Sequence, residues 1–146
     1  MASIQFRSAD RSLQIPGKIQ VKAFIESIFR KENQPLDSIT YVFCSDEFLL
    51  QMNRDFLKHD YYTDIITFGL SENGQPVEAE IYISLDRVRE NAQTHGATRT
   101  NETLRVLFHG ALHLCGYKDK KKSEITLMRE KEDHYLRLFE KKRIHG

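Results

Sequence analysis

Residues 104–119, LRVLFHGALHLCGYKD, constrain this chain more than any other stretch. Val106, Leu107, Phe108, Ala111, Leu112, Leu114 and Cys115 leave almost no polar side between Val106 and Cys115. A helix that is apolar nearly all round belongs inside the protein. Its polar exceptions are His109 and His113. At this spacing they stand about 40° apart around the helix axis, with Cβ atoms roughly 5–6 Å from each other. Two buried imidazoles need partners, because an unpaired buried polar group costs about 1–3 kcal/mol. A shared divalent cation would satisfy both, and so would two separate bonds to backbone carbonyls.

The residues that follow favour the cation. Gly116 comes three positions after His113 and Asp119 three after that, so the segment reads H-x-x-x-H-x-x-G-x-x-D. A glycine there can take positive φ, end the helix and turn the chain back, which brings Asp119 within reach as a third ligand. Two imidazoles and a carboxylate leave a coordination position for water, as catalytic sites require. Zinc peptidases of the HExxH kind place their general base directly after the first histidine. Here that position is Gly110, which cannot take a proton. Metal-activated water attacking a phosphodiester depends less on such a base.

Charge distribution points the same way. Residues 1–116 carry 12 Lys/Arg against 15 Asp/Glu, whereas residues 117–146 carry 10 against 6. Lys118, Lys120, Lys121 and Lys122 crowd around Asp119. By itself such a run is a solvated loop. Beside a metal it becomes a set of phosphate contacts.

At 146 residues, 40% hydrophobic and 29% charged, the chain reads as one folded domain spanning 1–146. It has no apolar run long enough to cross a bilayer and no secretory leader, so a cytoplasmic location is expected. Cys44 and Cys115 read as free thiols, Cys115 in the core. The pattern predicts a short strand at Ile4–Phe6 and an amphipathic helix over Lys18–Lys31, with Ile19 among its apolar residues. A strand at Ile39–Cys44 follows, then a helix capped by Ser45 and running to about Asn53. Strands at Asp64–Leu70 and Glu78–Ser84 flank Asn73-Gly74, a hairpin signal. Helices are expected from Leu85 to Gly96, from about Asn101 to Cys115, and over Ser123–Lys142. The fold class is therefore α/β (α+β), with a small mixed sheet packed by helices and the histidine helix at its centre.

The sequence resembles the YbeY family of bacterial endoribonucleases, also described as ribosomal RNA maturation factors. The family motif H-G-x-L-H-L-x-G-Y-D-H is matched in register by His109-Gly110-Ala111-Leu112-His113-Leu114-Cys115-Gly116-Tyr117. Thr63-Asp64-Ile65-Ile66-Thr67-Phe68 resembles its T-[DN]-V-L-S-F strand, and Glu80-Ile81 its G-D-I segment. Glu124, Met128 and Glu132 fall where the family tends to carry Glu, Met and Glu. Two positions depart: Asp119 replaces the family's third metal histidine, and Leu57 stands where an arginine is usual, with Lys58 beside it.

The resemblance implies a zinc-dependent hydrolase acting on ribosomal RNA of the small subunit, maturing its 3′ end, with no membrane or DNA partner. It implies His109, His113 and Asp119 as metal ligands, the two histidines acting through the metal-bound water. Another divalent metal is admitted because Asp119 is a carboxylate. Lys118, Lys120, Lys58, Thr63 and Asp64 are the candidate substrate contacts. Met128 is read as core beneath the metal, Glu124 and Glu132 as exposed helix charges, and His134 and His145 as solvent-facing. His59 and His95 carry no spacing signal. The alternative is a ribosome-assembly factor with a structural metal and little cleavage, and a zinc peptidase comes third.

Overall fold

The computed structural model describes residues 2–145, with side chains described as far as residue 143. Its elements are β1 (Ser3–Ser8), α1 (Lys18–Lys31), β2 (Leu36–Cys44), α2 (Asp46–Leu57), β3 (Ile65–Gly69), β4 (Val77–Ser84), α3 (Leu85–His95), α4 (Arg99–Leu114) and α5 (Lys122–His145). One mixed sheet runs in the order β1-β2-β4-β3. β1 and β4 both pair with β2 in parallel, and β3 returns antiparallel along β4. The hairpin signal at Asn73-Gly74 is thus realised between β3 and β4.

Alternation along the central strands decides which face meets the helices. Ile39, Tyr41 and Phe43 of β2 and Ala79, Ile81 and Ile83 of β4 are buried, successive odd residues projecting to one face as the two-residue period requires. Except for Ala79 they join one core with Phe24, Ile25 and Ile28 of α1, Leu107, Phe108 and Leu112 of α4, and Met128, Tyr135 and Phe139 of α5. A smaller cluster of Cys44, Leu49 and Ile66 packs with Met52, Phe68 and Tyr82 under α2. The α1 bounds match the sequence reading, with one correction. Ile19 is 83% exposed, because the buried stripe of α1 runs through Val21, Phe24, Ile25 and Ile28 instead.

The local start signals work as anticipated. Phe48 N–H donates to Ser45 Oγ at 3.1 Å, opening α2. Gly96 closes α3. Strand and helix ends lie a few residues beyond the expected ones in β1, β2 and α2, since edge residues with weak apolar signal still complete ladder and helix hydrogen bonds.

Two contacts fix α4 on the sheet. The fully buried Tyr41 hydroxyl donates to the Leu107 carbonyl at 3.0 Å. Further along, a Cβ on Gly110 would lie 3.0 Å from Ile81 Cδ1 and 3.1 Å from Ile65 Cδ1. The helix therefore approaches β3 and β4 closely enough that glycine alone fits without displacement. With that side against the sheet, the remaining faces of α4 meet α1, α3 and α5.

Candidate metal centre

Glu102, Arg105, His109 and His113 recur on α4 at intervals of three or four residues, so they form one polar stripe. Glu102, Arg105 and His109 of that stripe line a cleft of about 690 Å³ between α3, α4 and α5, with Asp64 at the entry to β3 and Asp119 also on its wall. His109 and His113 are half-buried, their rings 4.7 Å apart and nearly perpendicular.

The turn after α4 brings in the third group. Tyr117 N–H donates to the Leu112 carbonyl and Gly116 N–H to the His113 carbonyl, the paired bonds of a Schellman motif. Gly116 sits at φ +105°, a conformation that disfavours any residue with a Cβ. The reversed chain places Asp119 Oδ2 at 3.3 Å from His109 Nε2 and 3.4 Å from His113 Nε2. One ligand atom from each of His109, His113 and Asp119 lies within 4.8 Å of the others, and among the described residues this is the group able to hold a metal ion.

The donor set fits a divalent cation. His109 Nδ1–H donates to Glu132 Oε2 at 2.6 Å, and His113 Nδ1–H donates to the Tyr117 carbonyl at 2.9 Å. Both acceptors lack a proton to give, so the Nδ1 protons are assigned and the Nε2 atoms converge on the Asp119 oxygen. Two imidazole nitrogens and a carboxylate oxygen suit zinc and its neighbours.

The charges of these groups are coupled. Burial alone would lower the His109 pKa, but the hydrogen bond and charge of Glu132, then Asp64 and Asp119, outweigh it and hold the imidazole above its ordinary value. Burial would likewise raise Glu132, yet His109 and Arg105 keep its carboxyl below the usual range. For Asp64 burial wins, raising its pKa despite the opposing pull of His109.

Several expectations are corrected here. Glu132 is buried and bonded to His109 rather than an exposed charge. Glu124 is half-buried and accepts the Lys120 and Lys121 N–H groups at 3.2 and 2.8 Å, tying down the turn before α5. His95, which carried no spacing signal, lies on the cleft against the buried Glu102 at 3.3 Å. His59 is exposed and stacks on Tyr61. His134 is exposed as expected, and the side chain of His145 lies outside the described residues.

Met128 is buried on the cleft wall. Cys115 packs against the core, and burial pushes both thiols, Cys44 and Cys115, up to about 12; such thiols are inert.

Of the candidate substrate contacts, Asp64 lines the cleft. Thr63 is half-buried, its hydroxyl donating to the Ile65 carbonyl at 3.4 Å. Lys118 and Lys120 are exposed on either side of Asp119, and Lys58 is exposed just past α2; none of these three is on the cleft wall. Gly110 meanwhile sits against the sheet, with no room for the glutamate of an HExxH peptidase.

Residues 4–140 match the family model described as Endoribonuclease YbeY. The chain belongs to the YbeY endoribonuclease family. A Cytophaga hutchinsonii protein named Endoribonuclease YbeY is 49% identical over 136 residues, covering 93% of this chain and 95% of that one. A Flavobacterium psychrophilum protein of the same name is 45% identical over 116 residues, 80% of this chain and 82% of its own. The solution structure of TM1509 from Thermotoga maritima superposes with a TM-score of 0.63 at 28% identity, covering 93% and 88% of the two chains.

Proposed function

We propose that this YbeY family member is a metal-dependent endoribonuclease that cuts single-stranded RNA in ribosomal RNA processing, as one domain spanning 1–146. The observation that carries the reading is the convergence of His109 Nε2, His113 Nε2 and Asp119 Oδ2 beside a cleft that His109 and Asp119 line. A cation held there would act as a Lewis acid and make water acidic enough to attack a phosphodiester. His109 and His113 hold and orient it, and Asp119 completes the set. Zinc is the metal proposed; the carboxylate in place of a third imidazole widens the choice toward harder ions.

Asp64 lines the same cleft, and burial raises its carboxyl, which makes it a readier proton acceptor than an exposed aspartate. Lys118 and Lys120 flank Asp119 and, with Lys58 and Thr63, are proposed to hold the RNA backbone. Small-subunit ribosomal RNA is the proposed substrate, its 3′ end the proposed site and the cytoplasm the proposed location. No helix among the described residues is long and apolar enough to cross a membrane.

Cleavage of single-stranded RNA by purified protein, with and without chelator, tests the reading. Activity should vanish on chelation and return with zinc, and peptide hydrolysis should stay absent. Cleavage that survives complete metal removal would sink the proposal. Metal bound at full stoichiometry without cleavage would favour the assembly factor, a reading that Leu57 in the usual arginine position supports. RNA affinity should also fall steeply with salt. Glutamine at Lys118, Lys120, Lys121 and Lys122 should flatten that slope by roughly 0.7 for each phosphate no longer neutralised. An unchanged slope would return the cluster to a solvated loop.

A further inference from the structure

Glu132 stands in the buried stripe of α5, between Met128 and Tyr135, and is only 5% exposed. A carboxylate is not buried there without compensation. Two residues of α4 supply it by hydrogen bonds, and Arg129 of α5 adds a charge 3.7 Å from Oε1. His109 Nδ1–H donates to Oε2 at 2.6 Å, and an Arg105 guanidinium N–H donates to Oε1 at 2.8 Å. The other arm of Arg105 donates to Asp133 at 2.6 Å, so the guanidinium is itself fixed from two sides. Glu132 is outside the group able to hold the ion. Both its oxygens accept hydrogen bonds from α4.

From this arrangement we infer that Glu132, held by Arg105, is a positioning residue that sets the tautomer and ring direction of His109 and thereby the metal affinity of the site. The inference rests on the metal-site reading above. An imidazole free to turn about its Cβ–Cγ bond can present either nitrogen. A carboxylate accepts and never donates, so its bond at Nδ1 places the proton there and leaves Nε2 as the free lone pair. Arg105 keeps Glu132 from following the ring, because moving the carboxylate would break a charge-assisted bond. Orienting partners of this kind typically change metal affinity by about 10–100-fold when removed.

The test uses the full chain with zinc alone as probe, its affinity measured by chelator competition. Long-range nitrogen–proton spectra of ¹⁵N-histidine protein are recorded metal-free, at a pH above the imidazole range. Glu132→Ala should weaken zinc by about 10–100-fold and abolish the Nδ1–H pattern of His109. Glu132→Gln keeps one acceptor for two donors, so its zinc affinity should fall between wild type and Glu132→Ala. Arg105→Ala should likewise fall between wild type and Glu132→Ala, and Arg105→Lys should recover only part of that loss.

Wild-type affinity within about twofold in Glu132→Ala, with an unchanged His109 pattern, overturns the inference. Should that variant not fold, the same result in both Glu132→Gln and Arg105→Ala overturns it. A wild-type protein that binds no zinc, or a His109→Ala protein that binds it normally, refutes the metal site instead. The tautomer spectra still read the positioning role in that case.

Discussion

His109 and His113 leave the same face of the same helix, one turn apart, and reach the same Asp119 oxygen at nearly the same distance. Behind them the support differs. His109 leans on a side chain, Glu132 of α5, and through it on Arg105. His113 leans on main chain, the Tyr117 carbonyl four residues away, delivered by the Gly116 turn. One histidine is oriented by packing between two helices and the other by the end of its own helix. The first depends on side chains that mutation can remove. The second depends on a backbone conformation, which only a change of turn geometry can disturb.

The largest effect should come from removing either ring. His109→Ala and His113→Ala each take one of three donors, and metal-to-protein ratios after dialysis should fall to near zero in both. Equal retention of metal in the two variants would break the comparison at its root, placing the site elsewhere. Asymmetric loss would sharpen it by showing which half carries more of the binding.

Next in size is the turn. Gly116→Ala puts a Cβ on a residue at φ +105°, a strain of about 1–2 kcal/mol. No neighbouring atom lies within 4 Å of that Cβ, so the strain is conformational rather than steric crowding. Melting should therefore drop by an amount denaturant titration can read. Zinc affinity should fall with it, because relaxing the turn moves both the Tyr117 carbonyl and Asp119. Lowered stability with unchanged zinc affinity would show that His113 does not need the turn.

The difference between these supports is also what made the site only half legible beforehand. Everything around His113 lies within six residues, so helix, glycine, turn and Asp119 could be read from one contiguous motif. Glu132 lies 23 residues beyond His109, and the pairing of α4 with α5 has no local signature. The sequence nonetheless held a clue. Met128, Tyr135 and Phe139 form the apolar stripe of α5, and Glu132 interrupts it at helical spacing. A carboxylate in that place must meet a cation or a donor. Arg105 was hidden for a similar reason: the polar stripe of α4 begins before the apolar segment that stands out in the sequence. Strands, caps and the hairpin were legible because Ser45, Asn73-Gly74 and Gly96 act within a few residues. The strand order was not, since parallel pairing of β2 with β1 and β4 is set by crossovers that leave no mark on either strand.

The His109 side should show itself in pH dependence of the metal-free protein. Its imidazole pKa is raised from 6.5, so its contribution is fully present below that value and fades as pH rises through the folded pKa. The Glu132 carboxyl is lowered from 4.5, so its contribution is present above that value and fades as pH falls through the folded pKa. Both are present together between about pH 4.5 and 6.5. The melting-temperature gap between wild type and Glu132→Gln should peak in that window and shrink on either side. A gap independent of pH would remove the ion pair from the stability of the apo protein.

The smallest expected effect tests how local the support of His113 is. Tyr117 does more than present its carbonyl: its hydroxyl donates to Glu32 Oε1 at 2.7 Å, at the end of α1. Glu32 also accepts from the Tyr135 hydroxyl and pairs with Lys131. Burial would raise its carboxyl, but these partners hold it below the usual range. Tyr117→Phe deletes the hydroxyl and leaves the carbonyl, the turn and the other two partners in place. Losing one hydrogen bond to a charged group should cost about 1.5–3 kcal/mol at most, moderated here because Glu32 keeps two donors. If the backbone alone orients His113, zinc affinity should change by less than the Glu132→Ala variant changes it, within about threefold against the larger effect of an orienting partner. A tenfold loss in Tyr117→Phe with a folded protein would mean that the turn is held from α1 through a side chain. His113 would then depend, like His109, on a partner distant in sequence.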